Sequence, residues 1–123
     1  KRAQNHAIIA DLDDKMVFVT GPRQVGKTTL ARSLEEHWPD LYYLNFDAPK
    51  DRRTFVEQTW DRACPLVVFD EIHKWRQWKT LLKGVYDTEG IAPRILVTGS
   101  ARLDTFRRGG DSLAGRYFST AYI

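Results

Sequence analysis

The stretch Met16-Val17-Phe18-Val19-Thr20-Gly21-Pro22-Arg23-Gln24-Val25-Gly26-Lys27-Thr28-Thr29-Leu30 decides the fold. Met16 to Val19 is a short apolar, β-branched run, which reads as a strand, and Gly21-Pro22 stops it. After Gly26, apolar residues at Leu30, Ala31, Leu34 and Trp38 keep the spacing of one helical face, and Pro39 marks the end of that helix. Between strand and helix, Gly21 to Thr28 fits G-x-x-x-x-G-K-T. Glycines let such a loop wrap with its N–H groups turned inward, and a helix N-terminus adds partial positive charge, so the segment suits phosphate oxygens. Gly21, Pro22, Arg23, Gln24, Val25, Gly26, Lys27, Thr28 and Thr29 are the expected nucleotide-binding residues. Lys27 would reach the β- and γ-phosphates, and the Thr28 hydroxyl would ligate Mg²⁺.

Outward from the loop, the chain alternates between two periodicities. Leu41 to Phe46 reads as a second strand and Asp51 to Trp60 as a short helix carrying Phe55, Val56 and Trp60. Pro65 introduces Leu66 to Phe69, a continuous apolar run of the kind buried on both faces of a parallel sheet. Trp78, Leu81, Leu82, Val85 and Tyr86 form an amphipathic helix that Gly90 ends, and Ile95 to Val97 is a fourth strand. Residues 101–115 form a polar connection with three glycines, and Tyr117 to Ile123 begins a fifth strand. Parallel strands need crossover connections, so the expected class is α/β, a three-layer nucleotide-binding fold with a parallel sheet.

Composition fixes the outer bounds. The 123 residues, 42% of them hydrophobic, supply one compact core, so residues 1–123 read as a single domain. Lys1 is not an initiator and the last residues lie within an apolar stretch, so the domain is expected to be part of a longer chain. A net charge of +3 with 28% charged residues of both signs resembles an ordinary surface, and nucleic acid is not indicated as a partner. Cys64 is the single cysteine, which excludes an internal disulfide and suggests a buried, inert thiol. No apolar run approaches the roughly 20 residues needed to span a bilayer, so no membrane is expected and the cytoplasm is the expected location.

Leu66-Val67-Val68-Phe69-Asp70-Glu71 ends a buried strand on two carboxylates. Strand ends on one edge of a parallel sheet form the ligand crevice, which brings Asp70 toward the phosphate loop as a Mg²⁺ ligand, usually through water. Glu71 would polarise the attacking water as general base. Many kinases and GTPases of this fold lack a glutamate at that place, so the pair favours hydrolysis. Thr98 and Ser100, at the end of the next strand, are candidates to contact the γ-phosphate. Arg102, Arg107, Arg108 and Arg116 follow, and a guanidinium directed at the γ-phosphate stabilises transition-state charge. Asp47 has a weaker claim to the site, Trp75 and Trp78 read as packing, and His73 reads as a surface histidine.

Taken in order, GPRQVGKTTLAR, YLNFD, LVVFDEIHKWRQWKTLLKGVYD, ILVTGSARLD and LAGRY resemble a family of prokaryotic AAA+-related ATPases, in which an N-terminal ATPase domain precedes a C-terminal domain of poorly defined function. The resemblance runs from about Lys15 to Tyr117. It implies an AAA+-like core with strand order 5-1-4-3-2, with ATP and Mg²⁺ as ligands. It also implies Lys27 and Thr28 on phosphate and metal, Asp70 on metal, Glu71 on water, Thr98 or Ser100 near the γ-phosphate, and Arg116 as a recurring arginine before the final strand, which makes it the preferred candidate for a catalytic arginine. Turnover, and a homo-oligomer or protein partner, are expected of the longer chain. Two other readings compete with Mg²⁺-dependent ATP hydrolysis. One is an ATP-binding assembly switch with negligible turnover. The other takes Asp70-Glu71-Ile72-His73 as a helicase box, against which the motif spacing argues. The guanine-reading NKxD motif is absent, which favours ATP.

Overall fold

The computed structural model describes residues 2–20, 24–90, 93–99 and 118–122, the side chains of 2–5, 20, 24–28 and 118–122 excepted. In chain order the elements are α1 (Arg2–Asp11), β1 (Met16–Thr20), α2 (Gln24–His37), β2 (Tyr42–Asn45), α3 (Pro49–Glu57), β3 (Leu66–Asp70), a 3₁₀ turn (Ile72–Lys74), α4 (Trp78–Glu89), β4 (Arg94–Gly99) and β5 (Phe118–Tyr122). The strands form one parallel sheet in the order β2-β3-β4-β1-β5, which read from the other edge is the expected 5-1-4-3-2.

Right-handed crossovers dictate which face each helix covers. The connection from β1 to β2 runs one way along the sheet, while those from β2 to β3 and from β3 to β4 run the other way. Accordingly α2 lies on one face, its Leu30 and Leu34 packed with Ile8 and Leu12 against Val17, Val19, Leu66, Val68 and Leu96. The opposite face takes Phe55 of α3 and Trp78, Leu81, Leu82 and Val85 of α4 against Phe18, Val67, Phe69, Ile95 and Val97. Alternate residues of β3 and β4 thus enter two different cores, which explains why the strands are continuous apolar runs.

Aromatic packing anchors the second core. Phe69 is fully buried and meets Phe55 edge-on at 4.9 Å and Trp60 at 5.0 Å. Such pairs contribute about 0.5–1.5 kcal/mol each beyond area burial. Trp60 reaches that position from outside the helix expected to carry it. The helix stops at Glu57, Gln58 takes a left-handed conformation, and its N–H closes the turn onto Phe55 O. Val56 accordingly faces solvent.

Cys64 is only partly buried, a correction to the expectation of a buried thiol. It packs at the margin of the second core and donates to Asp61 O at 3.0 Å. Withdrawal from water, with the Asp61 charge adding, pushes this thiol above its ordinary range. No helix among the described residues is long and apolar enough to cross a membrane.

Candidate functional site

Register aligns the strand ends on one edge of the sheet. Asn45 pairs with Asp70, Asp70 with Thr98, Thr98 with Val19, and Gly99 with Thr20. The segment Gly21 to Arg23, which leads from β1 into α2, lies outside the described residues, as do Ser100 and Arg116. Gln24, Val25, Gly26, Lys27 and Thr28 form the first turn of α2, where unpaired backbone N–H groups and the helix dipole favour an anion. Thr29 follows as an exposed residue.

Asp70, at the end of β3, is held from two sides. Thr98 Oγ1 of β4 donates to Asp70 Oδ1 at 2.8 Å, and the Tyr43 hydroxyl of β2 donates to Asp70 Oδ2. Thr98 is buried, and its backbone oxygen also accepts from Glu71 N at 2.8 Å, so β4 fixes both carboxylate residues. Tyr43, Asp70, Thr98 and Glu35 of α2 form the polar lining of a cleft of about 220 Å³, whose apolar part includes Leu34 of α2, Val68 and Leu96.

Glu71 departs from the strand. It adopts φ 62°, ψ 21°, a left-handed conformation that turns the chain sharply into the 3₁₀ turn. For a residue with a Cβ this costs on the order of 1–2 kcal/mol. Its side chain is nevertheless nearly buried, with Oε1 at 3.5 Å from His73 Nε2 and 3.6 Å from Lys74 Nζ. Lys74 Nζ in turn donates to both oxygens of Asp47, at 2.9 and 3.0 Å. That bond, with Glu71 adding its charge, raises the Lys74 ammonium above the usual lysine range.

The Asp47 turn is itself fixed. Its N–H donates to Asn45 Oδ1, Arg52 donates to Phe46 O and Asp47 O, and the Phe46 ring stacks on Trp75 at 6.1 Å. Trp75 and Trp78 are packing residues, as their sequence context suggests.

His73 is not a surface residue, which corrects the sequence expectation. Its side chain is 14% exposed and lies against Gly99 so closely that a Cβ there would stand 2.6 Å from Nδ1. The glycine at the end of β4 makes room for the imidazole. Tyr43 and Lys74 are therefore the site residues that no motif singles out, and His73 entered only through the helicase-box reading. Only the separation of Lys74 and His73 from Glu71, three and two residues, was available as a signal.

Among the described residues no three His, Cys, Asp or Glu side chains gather into a metal cage. Mg²⁺ does not require one, since it is usually held by one or two carboxylates together with phosphate and water. The polar lining of the cleft is all oxygen, with Asp70 at the end of β3 and Glu35 on α2 as its two carboxylates, and fits that mode.

Comparison with known proteins agrees with the architecture. Residues 13–122 match the model of a family described as AAA domain. The chain is 32% identical over 105 residues to the uncharacterized proteins Mb2031c of Mycobacterium bovis and Rv2008c of Mycobacterium tuberculosis, a span that covers 82% of this chain. It spans only 23% of the length of those relatives. Among solved structures, a DNA replication initiation factor superposes with a TM-score of 0.52 at 13% identity, covering 97% of this chain and 45% of that one, which is a likeness of fold.

Proposed function

The chain belongs to the AAA domain family, a nucleotide-binding, ATPase-like class, and from that premise we propose that it binds ATP with Mg²⁺ and hydrolyses it as the motor or switch domain of a longer cytoplasmic protein. The observation that carries the reading is the end of β3. Asp70 is gripped by Thr98 and Tyr43, while the next residue, Glu71, is kept nearly buried in a strained conformation. Strain of this kind persists where the surrounding structure over-determines it, and it clusters at active sites.

In this proposal Gly21 to Thr29 cradle the phosphates, with Lys27 on the β- and γ-phosphates. Thr28 and Asp70 hold Mg²⁺, which when bound neutralises charge on the phosphates. Glu71 takes a proton from the water that attacks the γ-phosphorus, and the bond to the β-bridging oxygen breaks to leave ADP and phosphate. Ser100 and Arg116 are assigned to the γ-phosphate. Thr98 is assigned to orienting Asp70 rather than to the nucleotide, because its hydroxyl proton is already given to that carboxylate.

The contacts of Glu71 with His73 and Lys74 favour a second reading, in which this arrangement binds ATP and turns over negligibly until a partner or a second copy releases the glutamate. Nucleotide titration of the full-length protein tests what the two readings share. ATP is expected to bind more tightly than GTP and more tightly with Mg²⁺ than without, and Lys27→Ala is expected to abolish binding. Equal binding of ATP in the Lys27→Ala protein would overturn both.

A further inference from the structure

We propose that Tyr43 is a positioning residue for the metal-binding carboxylate of Asp70, an inference that rests on the assignment of Asp70 to Mg²⁺. Tyr43 lies opposite Val68 on β3 and Asn45 lies opposite Asp70, so Tyr43 is the diagonal neighbour of Asp70 on the same face of the sheet. A neighbour two residues along on the adjacent strand is within reach of a long aromatic side chain. The ring leans along the strand to bring its hydroxyl to Asp70 Oδ2.

One donor alone would leave the carboxylate free to rotate about its last torsion. Thr98 holds Oδ1 and Tyr43 holds Oδ2, from the strands on either side of β3, and together they fix the plane of the group. A carboxylate offers about four lone-pair sites, so two remain, now at set directions, for a metal ion or its bound waters. Half of the side chain remains exposed, so the ring does not depend on deep burial for its place and removal of the hydroxyl is a mild perturbation.

The experiment measures Mn²⁺, as a paramagnetic substitute for Mg²⁺, binding to the full-length protein saturated with ADP, for the unaltered protein, Tyr43→Phe and Asp70→Asn. Tyr43→Phe is expected to weaken Mn²⁺ binding about tenfold, the lower end of what loss of an outer-shell partner costs a metal site, and to leave metal-free ADP affinity and the melting temperature unchanged. Mn²⁺ affinity lost in Asp70→Asn but unchanged in Tyr43→Phe overturns the Tyr43 assignment alone. Mn²⁺ affinity unchanged in both variants overturns the role of Asp70 as well. Equal weakening of ADP with and without metal in Tyr43→Phe also overturns the proposal, because it reports a general structural role.

Discussion

Thr98 Oγ1 stands 2.8 Å from Asp70 Oδ1, and the backbone oxygen of the same threonine accepts from Glu71 N at the same distance. One residue of β4 therefore holds both carboxylate residues that end β3. The side-chain bond can be removed without the backbone bond, which makes the two contributions separable.

Thr98→Val keeps the shape and deletes the hydroxyl. The lost hydrogen bond is expected to cost about 1 kcal/mol of folding stability. It is also expected to raise the Mg²⁺ concentration for half-maximal ATPase activity of the full-length protein by about tenfold or more. Thr98→Ser is expected to restore both. Urea denaturation and Mg²⁺ titration of turnover are the measurements, and a valine variant with wild-type Mg²⁺ dependence would contradict the positioning role.

Gly99→Ala places a Cβ 2.6 Å from His73 Nδ1 and 2.8 Å from Cε1, so the imidazole must move. Overpacking of this sort costs about 1–3 kcal/mol, and the displaced ring would also disturb Glu71, which lies 3.5 Å from its Nε2. Gly84→Ala is the matched control. Gly84 is exposed in the middle of α4 with nothing within 4 Å of an added Cβ, so alanine there is expected to stabilise by about 0.5–1 kcal/mol. Thermal unfolding of the two variants should shift in opposite directions.

Cys64 offers a pH test away from the nucleotide. Its thiol is raised by burial and by Asp61, so the thiolate fraction is smaller than that of a free cysteine at any pH below its raised value. Alkylation by iodoacetamide at pH 8 is expected to be several-fold slower in the folded protein than in urea. The linkage has the matching sign. The raised thiol contributes stability that is fully present below the unfolded value and is lost as pH rises toward the folded one. Alkylation at equal rates in the folded and unfolded protein would show that the thiol is not protected.

The strands were legible because burial on both faces leaves no polar position. The run from Leu66 to Phe69 and that from Ile95 to Val97 lie within β3 and β4, whose observed ends extend by one or two residues. Asp70 and Glu71 were legible as the point where the run stops. Helix α1 was not, because RAQNHAIIAD shows no sustained apolar face. The segment is held by Ile8 and Leu12, which bury into the core beside α2. Trp60 was misplaced because a helical spacing continued past Glu57 on paper, while Gln58 turns left-handed and Trp60 packs onto Phe69.

The surroundings of the carboxylates were hidden for a different reason. The contact of Tyr43 with Asp70 depends on strand register, and the seat of His73 depends on the absence of a side chain at Gly99, neither of which is encoded in local spacing.

In the proposed reaction Glu71, held nearly buried at a strained turn beside the Mg²⁺-assigned Asp70, activates water for ATP hydrolysis. Phosphate release measured in parallel with ATP affinity on full-length wild-type and Glu71→Gln proteins tests it most directly. Glu71→Gln is expected to retain ATP binding and to lose turnover by at least about 100-fold, the scale of a general base. Turnover equal to that of the wild type in the glutamine variant would contradict it.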